Sequence, residues 1–280
     1  INFDYEINSN TKINSRLFAL SAYRNSLGDL SEINRADPDE KRNLISGDFR
    51  NIGNETRLVH LYEPFVNPWA FVIGVRAYKG FNKTQQGDAN SNNGPDFYFD
   101  DLSENIDFSE TIQSDYDFPS FNFSAFIEHI FNLSNKLSIT PGFRYEYIST
   151  SAIGKFRRAE SNLVGTPLYD TILSFANQNE NRDFIIGGIG VNYKTTNTIE
   201  LYSNFSQNYR SINFSDMQIS NPNFIIDPKL KDERGYNCDI GIRGKIKNKL
   251  YFDASVYTLF YNNRIGTRLT TDTVWFKPIQ

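Results

Sequence analysis

The sequence predicts an all-β chain whose antiparallel strands run up and down as part of a transmembrane β-barrel. Three observations predict it. Apolar and polar residues alternate with period two over long runs, the mark of strands whose two faces meet different surroundings. The connections between runs are alternately tight and long. Charged residues sit inside the runs on the parity opposite the apolar one, so one face of each strand is wet.

Taken in order, Ile1, Phe3, Tyr5 and Ile7 alternate with Asn2, Asp4 and Glu6, and Asn8-Ser9-Asn10 has the composition of a tight turn. The return over 11–24 puts Ile13, Leu17, Ala19 and Tyr23 on one parity, with Phe18 and Leu20 on the other. A polar stretch over 25–51 precedes a strand over 53–62. After a turn at 64–68, Trp69, Phe71, Ile73, Val75 and Ala77 alternate through a strand ending at Asn82, and a long segment spans 83–118. The next hairpin sets Phe121, Phe123, Ala125, Ile127, Phe131 and Leu133 against Asn122, Ser124, Glu128 and Asn132. It turns at Ser134-Asn135-Lys136 and returns through Leu137, Ile139, Phe143, Tyr145 and Tyr147, against Ser138, Thr140, Arg144 and Glu146. A long segment over 154–180 leads to Ile185, Ile189, Val191 and Tyr193. Past the turn at 195–198, Ile199, Leu201, Phe205 and Tyr209 share a parity. Tyr236, Cys238, Ile240, Ile242 and Ile246 then oppose Asn237, Asp239, Arg243, Lys245 and Lys247. After 247–249, Leu250, Phe252, Ala254, Val256 and Phe260 close the series. The result is about ten or eleven strands, longer than those of ordinary globular sheets.

Composition narrows the class. A net charge of −4 leaves no basic footprint for nucleic acid. Phe (24) and Tyr (16) dominate while Met occurs once, an aromatic bias unusual in so polar a chain. The single cysteine, Cys238, excludes an intrachain disulfide and suggests no thiol metal site. No apolar run is long enough for a membrane-spanning helix, which does not bear on barrels, whose strands are only half apolar. The chain begins at Ile1 and stops at Gln280 within a strand-like run, so it reads as a fragment. Lipid offers no partner to an open backbone group, so a sheet crossing it must close on itself. The apolar parity then faces lipid: Phe121, Phe123, Ile127, Phe131, Phe143, Ile189, Val191, Ile240, Ile242, Phe252 and Val256. Its opposite faces a wet lumen. The rival is a soluble sandwich with the apolar parity as its core.

The stretch from Tyr202 to Thr267 carries a resemblance. Tyr209-Arg210 ends one run, and Asn213, Phe214 and Asp216 open the loop after it. Asn221-Pro222 follows, then Asp227-Pro228-x-Leu230-Lys231-x-Glu233, then Tyr236-Asn237-x-x-x-Gly241-x-Arg243-Gly244. These residues resemble the barrel signature of TonB-dependent outer-membrane receptors; Asp232 stands where that pattern favours Pro, and Cys238 where Tyr or Glu is frequent. The run from Ser46 to Pro64 is also similar to ferric-citrate-type receptors of the Bacteroidetes kind. The resemblance covers most of the chain and implies a Gram-negative outer-membrane location. It also implies a barrel of about twenty-two strands closed by an N-terminal plug, of which residues 1–280 are roughly half, without plug or last strands. It implies uptake of a ferric chelate, iron-citrate or a siderophore, driven through the TonB complex of the inner membrane, with lipid and lipopolysaccharide around the wall. A passive porin, or a receptor for cobalamin, heme or oligosaccharide, is the alternative.

Against that background Lys155, Arg157, Arg158 and Arg210, with Tyr209, are the candidate contacts for an anionic chelate, because guanidinium groups favour carboxylate clusters. The plainer reading is a wet wall residue paired with a neighbour. The acidic segment 83–118 includes Asp88-x-Asn90-x-Asn92, which opens like a calcium loop but lacks the Gly and Glu in register. A solvated outer loop explains it better. His60 and His129 have no partner at metal spacing and suit interfacial packing. Gly187-Gly188 and Gly190 lie in a strand with no helix after it, so close packing explains them better than phosphate binding. No catalytic constellation, metal site or cofactor motif stands out, and the chain does not read as an enzyme.

Overall fold

Ten strands hydrogen-bond in the order in which they occur, each antiparallel to the one before. They are β1 (Asn2–Asn8), β2 (Thr11–Gly28), β3 (Asn43–Tyr62), β4 (Trp69–Asp88), β5 (Ile112–Asn132), β6 (Leu137–Arg158), β7 (Ile172–Lys194), β8 (Ile199–Arg210), β9 (Glu233–Ile246) and β10 (Leu250–Asn262). Two short strands, β11 (Thr270–Asp272) and β12 (Lys277–Ile279), form a separate ladder. The computed structural model describes residues 1–28, 34, 41–65, 67–89, 97–100, 112–158, 172–213, 216, 227, 229–247, 249–266, 270–272 and 277–279. Among them every regular element is a strand, and no helix is long and apolar enough to cross a membrane, which says nothing of a β-barrel.

The alternation of connections holds. Five turns are short, and hydroxyl or amide side chains close several of them. Ser134 Oγ accepts from the amides of Lys136 (3.2 Å) and Leu137 (3.0 Å). Thr196 Oγ1 does the same for Thr198 (3.2 Å) and Ile199 (3.0 Å), and Asn8 Oδ1 accepts the Asn10 amide at 2.9 Å. Lys247 reverses the chain before β10 with a left-handed φ of 50°.

The long connections are shorter than sequence periodicity suggests. β3 starts at Asn43 rather than near Gly53, β4 runs to Asp88, β5 starts at Ile112, β6 runs to Arg158 and β7 starts at Ile172. Two of the added stretches are polar on both faces, Thr84 to Gln86 on β4 and Asn177 to Asn181 on β7, while those of β3 and β5 carry apolar side chains such as Leu44, Tyr116 and Phe118. Where both faces are polar the period-two signal vanishes, but backbone pairing continues, joining Asn43 with Asp88 and Arg158 with Ile172.

Register confirms one apolar face across the sheet. Tyr5 lies opposite Ile13, Ile13 opposite Leu58, Leu58 opposite Ile73, Ile73 opposite Ile127 and Ile127 opposite Phe143. All eleven side chains assigned above to the lipid side fall on this face. Seven of them are exposed, Ile240 at 62% and Val256 at 74%, and the other four are half-buried. The core of a sandwich would bury them, and among the described residues no second layer covers them.

The apolar band crosses the ladder diagonally. Val256, in the middle of β10, is in register through Ile240, Ser203, Val191, Ile139 and Phe131. Phe131 in turn packs edge-on against Trp69, the first residue of β4 (4.9 Å between centroids). Strands tilted to the band produce this drift, and barrel closure requires such a tilt.

On the opposite, polar face, aromatic rings lie over glycines of the neighbouring strand. Phe18 covers its partner Gly53, Phe126 covers Gly74, and Tyr202 covers Gly241. Each glycine leaves room for a ring that shields the bare backbone. A β-carbon on Gly74 would meet the Phe126 ring well inside contact distance. Gly74→Ala is therefore expected to destabilise the sheet by about 1–3 kcal/mol, with Phe126→Ala in the same chain recovering part of the loss. Denaturant titration in detergent checks it; strictly additive effects contradict the packing account.

Candidate functional site

The polar face carries paired charges along its length. Arg243 of β9 meets Glu200 of β8, and its guanidinium lies 5.3 Å above the Tyr202 ring. Tyr202 donates its hydroxyl to Asp253 at 2.8 Å. Farther across, Arg144 pairs with Glu146 and donates to Ser124 Oγ at 3.0 Å, while Asn122 donates to Glu146 Oε2 at 3.1 Å. Arg76 stands 3.8 Å from Glu55 and 5.3 Å above the Phe18 ring. Strand alternation alone places these groups together, because directly opposed residues share a face.

Above them, at the end of the long connections, the described residues between β8 and β9 lie against the polar face. Tyr116 and Phe118 of β5 stack at 5.6 Å, and with Ala152 of β6 and Ile212 of the loop they form a buried apolar cluster. Phe156, Leu230 and Ile265 pack against it. A dry core thus sits on the otherwise wet face, built from both stems of the loop and the residues after β10.

Carboxylates tie that loop down. Asp232 accepts from Arg182 Nε of β7 at 2.7 Å, from the Tyr209 hydroxyl at 2.5 Å and from the Ile212 amide at 2.9 Å. Glu233 accepts from Arg210 at 3.3 Å and from the Ile265 amide at 2.7 Å. Asp216 takes both oxygens to Arg210 Nη2 (3.1 and 3.0 Å) and one to the Asn213 amide (2.9 Å); Asn213 Oδ1 accepts the Asp216 amide in return at 3.1 Å. The Phe184 and Tyr209 rings stack at 3.6 Å where the β7–β8 ladder ends at the Gly188–Ser206 pair. Beside this clasp lies a hollow of ≈ 350 Å³, bounded by Asn122, Glu146, Phe184, Tyr209, Arg210 and Asn213.

The structure gives most signature residues a local task. Asp227 Oδ1 accepts the Lys229 amide at 2.8 Å and its carbonyl accepts that of Leu230 at 3.0 Å, a turn that delivers Leu230 to the cluster. Tyr236 stacks between Phe205 (5.9 Å) and Phe260 (6.0 Å) on the apolar face. Asn237 accepts from Asn208 at 2.7 Å, Gly241 admits the Tyr202 ring, and Gly244 lies against the Thr198 carbonyl. Lys231 is exposed. Phe214, Asn221, Pro222 and Pro228 lie outside the described residues, as do Asn90 and Asn92 of the calcium-like run.

Of the candidate ligand contacts, Tyr209 and Arg210 are brought together at the hollow. Lys155 lies opposite Asp115, and with Arg157 it has the parity of the apolar face, above the apolar band; the backbone of Arg158 has the parity of the polar face. Sequence reasoning did not find Arg182, the Tyr116–Phe118–Phe156 cluster, or the task of Asp232, since each depends on a fold-back that no local period reports. His60 and His129 join Tyr62, Trp69, Phe71 and Phe131 in an aromatic patch on the apolar face near the short turns. There Tyr62 bonds His129 Nε2 at 2.7 Å and Thr11 bonds His60 Nδ1 at 2.8 Å. Among the described residues no cluster of three or more His, Cys, Asp or Glu is placed to hold a metal, and Cys238 is a free thiol.

Comparison with known proteins agrees with this arrangement. Residues 1–276 match the family described as "TonB dependent receptor-like, beta-barrel", and the chain belongs to that family. No curated protein matches. Among solved structures, the chain is similar to the closed form of the ferric-catecholate import receptor Fiu from E. coli K12 (TM-score 0.66, 12% identity, 98% of this chain and 41% of that one). It is similar to the unliganded ferric citrate transporter FecA (TM-score 0.65, 16% identity, 98% and 35%) and to the copper transporter OprC (TM-score 0.65, 15% identity, 93% and 39%). At such identities the likeness shows the fold, and the chain spans about two fifths or less of these proteins.

Asp232 carries a testable consequence. Arg182 has only 8% of its side chain exposed, so Asp232→Ala leaves a buried cation without one of its partners. Loss of a buried partner costs about 3–5 kcal/mol, and the Ile212 amide loses its acceptor. Hydrogen exchange at Ile212 is expected to accelerate in the variant; unchanged protection contradicts a holding role for Asp232.

Proposed function

We propose that the chain is part of the wall of an outer-membrane receptor that imports a ferric chelate, iron-citrate or a siderophore, with energy from the TonB complex of the inner membrane. The observation that carries this reading is a TonB-dependent barrel sheet with one open apolar face and one polar face bearing Arg210 beside a hollow. Lipid covers the apolar face, and the charged residues above the band, Lys155 and Arg157 included, meet the lipopolysaccharide headgroups. On this reading residues 1–280 belong to the barrel domain, and the plug and further strands lie in other sequence. The anionic chelate meets Tyr209 and Arg210 within the mouth, with Arg158 farther up the same face. Iron chelates are favoured as cargo because Fiu and FecA are named for ferric chelates; no catalytic step is assigned.

Two outcomes test it. A strain dependent on this receptor, expressed from its complete coding sequence, is expected to accumulate radiolabelled iron from ferric citrate or a ferric siderophore and to stop when TonB is deleted. Uptake that persists without TonB contradicts active import. Ile240→Arg, on the lipid side, is expected to cost about 2–4 kcal/mol of stability in phospholipid vesicles, while Asp239→Asn on the wet side costs far less. Equal losses in urea titrations would count against the membrane assignment.

A further inference from the structure

The hollow beside Tyr209 and Arg210 is already occupied, in an electrostatic sense, by the chain itself. Arg210 presents Nη2 to both oxygens of Asp216 and Nη1 to Glu233. A single guanidinium is shared by two carboxylates, one negative charge more than it neutralises. The two are not held alike. Glu233 stands in the β9 ladder directly opposite Arg210 and is fixed a second time by the Ile265 amide. Asp216 lies in the loop, held by Arg210 and by its reciprocal bonds with Asn213. Arg210 keeps 40% of its side chain open and borders the hollow, so a second anion can reach it.

We infer that Asp216 is a resident stand-in for the ligand, and that an anionic chelate enters by exchanging with it at Arg210. The inference rests on the chelate-import reading above and deepens it. The exchange conserves charge-assisted bonding: a chelate carboxylate takes the two-oxygen position that Asp216 leaves, and Glu233 stays in place. It also breaks the reciprocal Asn213–Asp216 bonds. Capture of the anion and release of those bonds then share one free energy, and each favours the other by the same factor. Asp232, bound to Arg182, Tyr209 and Ile212, keeps its own contacts throughout.

The experiment uses the receptor expressed from its complete coding sequence, in detergent, with heat-modifiable migration confirming that each variant is folded. Ferric citrate binding is followed by tryptophan fluorescence, and hydrogen exchange over residues 211–216 is measured without ligand. Asp216→Asn is expected to tighten binding about five- to tenfold and to speed that exchange. Arg210→Gln is expected to weaken binding, and the double variant to bind no better than Arg210→Gln. Wild-type binding that Asp216→Asn leaves unchanged or weaker sinks this inference alone. A wild-type receptor that binds neither ferric citrate nor a ferric catecholate sinks the cargo reading and this inference together.

Discussion

The structure depends on one constraint: a single ten-stranded antiparallel ladder whose two faces differ in chemistry, one apolar and one polar. In the lipid proposed for the apolar face an unpaired amide or carbonyl would have no water to turn to, which favours long strands and short closing turns. Every second side chain is then committed to that face by geometry alone. The remaining half carries all the chemistry. This is why arginines and carboxylates are strung along the same strands as Phe, Ile and Val without either set disturbing the other.

Within the polar half, two kinds of order replace the hydrophobic core of a soluble protein. Rings laid over facing glycines stiffen the wall, as Phe126 does over Gly74. Ion pairs and amide–carboxylate bonds pin the loop, with Asp232 and Glu233 as adjacent hubs that together reach β7, β8, the loop and the segment after β10. The apolar cluster of Tyr116, Phe118 and Ile212 adjoins those bonds, the Ile212 amide being one of the donors to Asp232. Wall, clasp and hollow therefore adjoin one another, and the signature residues Asn213, Asp216, Leu230 and Glu233 contribute to the clasp beside residues outside the motif such as Arg182, Asp232 and Tyr116.

Much of this was legible before any coordinates. The strand order, the alternation of connections and the identity of the apolar face follow from period two, as the register of Ile73, Ile127 and Phe143 shows. The strand ends were not legible, because alternation stops where the second face also turns polar. Thr84, Gln85 and Gln86 pair as regularly as Ile73 does, yet they leave no apolar period to read. The clasp was visible only as a motif. Resemblance singled out Arg210, Asp216 and Glu233, but their mutual bonds, and the place of Arg182 far earlier in the chain, arise from the folding of the loop onto the wall. Asp232 stood out as a departure from the family pattern, and the structure shows what the departure supplies: a carboxylate with three donors around it.

The central claim is that alternate residues of one strand touch hydrocarbon and water. Nitroxide labels placed singly at positions 239 to 242 of β9, in a receptor carrying Cys238→Ser and reconstituted in lipid vesicles, address it most directly. Collision with oxygen should peak at positions 240 and 242, and collision with a water-soluble nickel chelate at 239 and 241. A flat profile, or low oxygen access at 240 and 242 from burial against protein, would contradict the account.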